Sequence, residues 1–143
     1  MKTYIAKDKD IQRSWYVVDA KDKILGRLAS KIASILRGKD KVIFSTHQDV
    51  GDEVIVVNAS KIMVTGKKLT QKEYKRYSAY PGGLNIETLE TVMKKSPELV
   101  IRHAVKGMLP KSKLGEKMLK KLRVYPNEVH PHKAQSPKEL KLT

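Results

Sequence analysis

Hydrophobic positions along the chain switch between two periods, and the switches mark the elements. Trp15-Tyr16-Val17-Val18-Asp19-Ala20 is a nearly unbroken run of aromatic and β-branched residues, closed by the Lys21-Asp22-Lys23 turn. A run of this kind predicts a buried strand. From Leu25 to Arg37 the period becomes helical: Leu25, Leu28, Ala29, Ile32, Ile35 and Leu36 fall on one stripe, with Arg27, Lys31, Ser34 and Arg37 opposite. Gly38 stands where a C-terminal cap belongs. A second apolar run, Val54-Ile55-Val56-Val57, lies between the Gly51-Asp52 turn and Asn58. Strand, helix and strand in this order predict a right-handed βαβ unit on a parallel sheet with two covered faces. Val42-Ile43-Phe44 and Ile62-Met63-Val64 are weaker strand candidates.

Between Gly66 and Gly83 neither period holds. Lys67, Lys68, Lys72, Lys75 and Arg76 mix with Tyr74, Tyr77 and Tyr80, and Pro81-Gly82-Gly83 ends the stretch. It reads as an irregular basic loop, with a short helix if Thr70 and Glu73 form a capping box. The last third is helical. Asn85 is placed to cap a helix over 86–95, and Ser96 with Pro97 opens another carrying Val100, Ile101, Ala104, Val105 and Met108. A third helix is expected from about Lys113 to Val124, stopped by Pro126. Ser136-Pro137-Lys138-Glu139 reads as a final capped turn. No internal repeat or dividing linker is found, so one domain over 1–143 is expected, with an extended arm at 1–14 and a tail at 125–143.

Charge narrows the class of function. In 143 residues, 30 Lys and Arg face 15 Asp and Glu, for a formal net charge of +15, while 40% hydrophobic residues suffice for a core. A compact body of this size repels itself at that charge, and a polyanion relieves the strain by releasing counterions from its phosphates. The bland alternative is a merely soluble basic protein. No segment has the ~20 apolar residues of a spanning helix, so no membrane partner is expected. The absence of cysteine excludes disulfides, thiolate nucleophiles and Cys-based zinc sites. The first residues, MKTYIAKDKDIQRSW, lack an apolar signal core, and the cytoplasm is the expected compartment.

Catalytic chemistry finds no footing. The turn from Ala20 to Gly26 holds one glycine where a dinucleotide fingerprint needs three, and Gly66-Lys67-Lys68 does not complete a phosphate loop. His130-Pro131-His132 offers two metal ligands without a third or fourth, and the plainer reading packs both on RNA or on the domain surface. His103 lies among apolar helix residues, and no serine sits in a nucleophile elbow. No enzyme, cofactor, metal or small-molecule substrate is therefore expected.

The basic surfaces carry more. Lys113, Lys117, Lys120 and Lys121 fall along one side of the third helix, beside an apolar stripe of Leu114, Met118, Leu119 and Leu122. One edge can bury against the domain while the other follows a phosphate backbone; the competing reading is a solvated lysine face. Lys106 and Lys111 lie just upstream, and Arg123 just beyond. In the 67–80 stretch, Tyr74, Arg76 and Tyr77 can stack on unpaired bases while Lys67 and Lys68 hold phosphates, or the tyrosines can simply cover a core edge. Two basic regions flanking one α/β body point to wrapping by folded RNA.

These segments together resemble a known family. Trp15–Ala20, Leu25-Gly26-Arg27-Leu28-Ala29-Ser30, Leu36-Arg37-Gly38-Lys39, Val54–Ala59, Thr65-Gly66-Lys67-Lys68, Tyr80-Pro81-Gly82-Gly83-Leu84, Val105-Lys106-Gly107-Met108-Leu109-Pro110-Lys111, and His130-Pro131-His132 with Ala134-Gln135 occur in the order of the bacterial large-subunit ribosomal protein thirteen family. Asp40, Val42, Thr46, Tyr77 and Ala79 depart from that pattern. The resemblance implies a three-layer α/β/α sandwich around a short, mostly parallel sheet, with basic extensions at both ends. It also implies binding to large-subunit (23S) ribosomal RNA beside neighbouring large-subunit proteins, an early role in subunit assembly, and no enzymatic step or homo-oligomer. Lys67, Lys68, Arg76, Lys106, Lys111 and the tail histidines His130 and His132 are implied to lie at or near RNA. The competing classes are a free basic nucleic-acid-binding regulator and a nucleotide-binding α/β enzyme.

Overall fold

A computed structural model describes residues 4–142; the first three residues of the expected N-terminal arm lie outside them. In chain order the elements are β1 (Trp15–Asp19), α1 (Leu25–Arg37), β2 (Glu53–Val57), α2 (Lys68–Gln71), β3 (Glu73–Tyr77), β4 (Leu84–Thr88), α3 (Leu89–Lys95), α4 (Pro97–Met108), α5 (Lys113–Lys120), β5 (Leu122–Val124) and β6 (Lys138–Glu139). The four-stranded sheet has the order β5-β2-β1-β6, and every pairing in it is parallel. The α/β class and the parallel sheet are thus as the periodicity predicts.

The paired registers Tyr16↔Val54 and Val18↔Val56 set one face of the sheet. Val18, Val54, Val56, Leu122 and Val124 belong to one core with Leu28, Ile32 and Leu36 of α1 and Val100, Ile101 and Val105 of α4. The opposite face carries Trp15, Ile55 and Arg123. Residues 125–135 come back over it: the His132 ring lies 5.6 Å from that of Trp15, and its Nε2 is 2.7 Å from the Tyr125 hydroxyl. Both faces are covered, which is why β1 and β2 are apolar without alternation.

Helix α1 ends at Gly38, whose φ of 79° and ψ of 24° let its N–H reach the Ser34 and Ile35 carbonyls. Only glycine takes this left-handed cap without a Cβ penalty. Helix α5 starts at Ser112, whose hydroxyl accepts from the Gly115 N–H at 3.3 Å. Ser112→Ala is expected to lower stability by about 1 kcal/mol, with the loss read by urea titration.

Several elements differ from the sequence expectation, each for a physical reason. Val42 is fully exposed and 42–44 form turns rather than a strand; Lys41 holds this connection through Asp52 at 2.7 Å and the Gln12 carbonyl at 2.6 Å. Of 62–64, only Met63 makes a bridge, to Ile24. The irregular basic loop is instead α2 followed by the antiparallel β3–β4 hairpin, registered from Glu73↔Thr88 to Tyr77↔Leu84. No capping box forms there, because Glu73 already belongs to β3. Asn85 and Ile86 are consumed by β4, so α3 begins at Leu89, whose N–H is held by the Lys72 carbonyl at 2.8 Å. The third long helix stops at Lys120, and Leu122–Val124 becomes the edge strand β5 on β2. Leu122 and Val124 are buried and Arg123 is not, a period of two that a helix cannot satisfy. Lys138 and Glu139, expected in a capped turn, pair with Tyr16 and Val17 of β1.

Candidate nucleic-acid interface

Helix α4 has two faces. Val100, Ile101 and Val105 are buried, and Leu99, Arg102, His103 and Lys106 form the exposed stripe at spacings of three and four. The β3–β4 hairpin stands against that exposed stripe. Tyr74 of β3 meets His103 edge-on with ring centroids 5.3 Å apart, and the Lys72 ammonium lies 5.4 Å from the Tyr74 ring centre. Strand alternation puts Arg76 on the same side as Tyr74, together with their hairpin partners, Asn85 opposite Arg76 and Glu87 opposite Tyr74. The result is a groove of about 650 Å³ whose rim includes Lys72, Arg76, Arg102 and Lys106.

Lys106, His103 and Leu119 also border a second hollow of about 340 Å³ that runs past Pro110 and Lys111 to the start of α5. Hairpin, α4 and α5 therefore present one continuous surface. On α5, Lys113, Lys117 and Lys120 are exposed, while Met118 is buried and Leu114 and Leu119 pack beside it. Lys67 and Lys68 sit exposed at the head of α2, and Lys68 shares with Lys72 a cleft of about 490 Å³ beside the first turn of α1. Among the described residues, none of Lys67, Lys68, Arg76, Lys106, Lys111, Lys113, Lys117 and Lys120 has a carboxylate within 4.0 Å. They are fixed positive charges with unspent hydrogen-bond donors.

Lys121 and Arg123 are placed differently. Lys121 is 6% exposed; its ammonium donates to the Leu36 carbonyl at 3.2 Å and to Asp49 at 2.5 Å. Burial pushes its pKa below the ordinary 10.5, and the neighbouring Asp49 only partly opposes that. The Arg123 guanidinium donates to Glu53 and lies 4.7 Å from the Trp15 ring centre. Both cations are engaged in holding β5 against the rest of the protein. His130 and His132 are half-buried, with rings stacked 6.5 Å apart at 16°, and His132 serves the Tyr125–Trp15 cluster. Tyr77 is 64% exposed on the hairpin's other side, apart from Tyr74.

The groove gathers Tyr74, Arg76 and Lys106 from the expected set and adds Lys72, Asn85, Arg102 and His103. The periodicity that identifies the buried stripe of α4 also identifies the opposite stripe with Arg102 and His103. Asn85 has no such signal, because its position depends on a hairpin register that basic composition obscures. Among the described residues, no group of three or more His, Asp or Glu is arranged to hold a metal ion. No described helix is long and apolar enough to cross a membrane.

The sequence pattern of the family described as Ribosomal protein L13 matches residues 13–131. The chain is 57% identical over 140 residues to "Large ribosomal subunit protein uL13" of Maridesulfovibrio salexigens, covering 98% of this chain and 99% of that one. It is 59% identical over 142 residues to the protein of the same name from Dictyoglomus thermophilum, covering 99% of this chain and 100% of the relative. A third relative of that name, from Trichormus variabilis, is 56% identical over 141 residues, covering 99% and 93%. With a match over most of its length and such relatives at this identity, the chain belongs to the ribosomal protein L13 family.

Proposed function

We propose that the chain is a structural constituent of the large ribosomal subunit, in the cytoplasm, that binds large-subunit (23S) ribosomal RNA and supports early subunit assembly and translation. It acts as one copy beside neighbouring large-subunit proteins and performs no reaction. The relatives' shared name supports the subunit. The observation that carries RNA binding is the unpaired cationic surface running from the hairpin over the end of α4 to α5. Among the described residues, Arg76, Lys106, Lys111, Lys113, Lys117 and Lys120 there lack a carboxylate partner, in a chain with a net charge of +15. Fixed cations on rigid elements position a protein on a phosphate lattice, and each phosphate contact releases counterions. Lys121 and Arg123 take the role of internal struts, and His130 and His132 that of anchors for the tail.

Lys117→Glu combined with Lys120→Glu tests this directly. Both residues are exposed, so the melting temperature is expected to stay within a few degrees of the parent protein. Filter binding to a large-subunit RNA transcript is expected to weaken, and the slope of log affinity against log salt to flatten by about 1.5. An unchanged slope removes α5 from the interface.

A further inference from the structure

We infer that the groove between the β3–β4 hairpin and α4 seats a single unstacked nucleotide of the bound RNA; this rests on the RNA-binding reading above and specifies how that surface is used. A convex lysine ridge suits the phosphates of a duplex, but this site is concave, at about 650 Å³, within the size range of pockets that enclose small ligands. Its walls are mixed. Val92, Leu99 and Leu119 supply apolar surface, while Arg76 and Arg102 bring guanidinium groups from facing elements. That combination matches a nucleotide, which has a flat apolar face and a phosphate at its edge, better than it matches a phosphate ridge alone.

Two further groups point the same way. The Tyr74 ring lines the groove and offers an aromatic surface for a base to lie against. Asn85 borders the groove on the same hairpin face, exposed, with an amide able to donate and accept at a base edge. Two carboxylates also line the groove, and each has a cationic partner: Glu87 is paired with Lys95 at 2.5 Å and Glu73 with Lys75 at 3.6 Å. The T-shaped contact with His103 braces the Tyr74 ring against α4. RNA proteins that read unpaired bases use this pairing of aromatic or guanidinium planes with amide hydrogen bonds.

The test compares two probes on the full-length protein by fluorescence anisotropy: a single-stranded ten-nucleotide oligouridine and a blunt RNA duplex of equal phosphate number. Arg102→Ala and Asn85→Ala are each made, and circular dichroism confirms the fold of each. The expected result is about a tenfold loss for oligouridine in Arg102→Ala, and about fivefold in the uncharged change Asn85→Ala, with less than about twofold loss for duplex in both. Equal losses on both probes in Arg102→Ala make the groove an ordinary cationic patch and overturn the inference. No loss of oligouridine binding in Asn85→Ala also overturns it, as does a subunit-bound protein whose groove cross-links to a protein neighbour instead of RNA. If the parent protein binds neither probe nor the large-subunit transcript, it is the RNA-binding reading itself that fails.

Discussion

Gly51→Ala is expected to destabilise the protein by about 4 kcal/mol, a large share of the roughly 5–15 kcal/mol that holds a domain of this size together. A Cβ built on Gly51 lies 1.8 Å from the Leu36 carbonyl oxygen, 2.4 Å from its carbon and 2.9 Å from the Ile35 oxygen. All three are backbone atoms of the last turn of α1, so no side chain can swing away. Either the helix end or the entry to β2 has to move. Movement breaks the Asp52 N–H bond to the Ile35 carbonyl and disturbs the Asp52 carboxylate that accepts from Ser14 at 2.9 Å. Gly107→Ala is the internal control. A Cβ there meets nothing within 4 Å, and alanine is the better helix former by roughly 0.5–1 kcal/mol, so stability should rise slightly. Urea titration of both variants decides the matter; a Gly51→Ala midpoint equal to that of the parent contradicts the close approach of α1 and β2.

The second large effect is at Lys121, a few ångströms from the same joint. Its ammonium bridges the Leu36 carbonyl and Asp49, tying α5 to the end of α1. Lys121→Met keeps most of the stem and removes the charge, leaving Asp49, among the described residues, with the more distant Arg13 guanidinium at 3.8 Å. Loss of one partner of a buried pair costs about 3–5 kcal/mol, and the remaining Arg13 contact puts the expected loss near the lower end, about 3 kcal/mol. Adding Asp49→Asn is expected to recover most of it, because no unpaired charge then remains. Protonation gives an independent sign. Since burial holds the folded pKa of Lys121 below 10.5, the unfolded chain binds more protons between the folded value and 10.5. The contribution of this group to stability therefore rises with pH across that window, and Lys121→Met should abolish that rise. A double variant no more stable than Lys121→Met alone would show that the loss comes from the broken hydrogen bond to the Leu36 carbonyl, not from an unpaired Asp49.

These two positions also show where the sequence is legible. The strand at 15–19, the helix at 25–37 with its glycine cap and the apolar strand at 53–57 follow from periodicity, because burial on a packed sheet leaves a simple trace. Lys121 leaves none. On a helical wheel it continues the line of Lys113 and Lys117, and only the switch to strand at Leu122 turns it inward. That switch is decided by the free edge of β2, a partner more than 60 residues away in the chain. The same holds for the hairpin. Glu73–Tyr77 is too charged to read as a strand alone, and becomes one because Leu84–Thr88 supplies the complementary ladder. A cationic surface is therefore plain from the sequence, but its division into unpaired cations and internal struts requires the tertiary structure. The sequence names Tyr74, Arg76 and Lys106 singly as candidates, whereas the groove they line with Arg102 and Asn85 depends on hairpin and helix meeting.

Sedimentation of a cell lysate through a sucrose gradient at moderate salt tests the central claim most directly, with the protein quantified across fractions against known large-subunit proteins. A cationic surface built for ribosomal RNA predicts one copy per large subunit in the subunit fractions, and displacement to lighter fractions when Lys113, Lys117 and Lys120 are all changed to Glu. Recovery of the parent protein only among free proteins at the top of the gradient would contradict it.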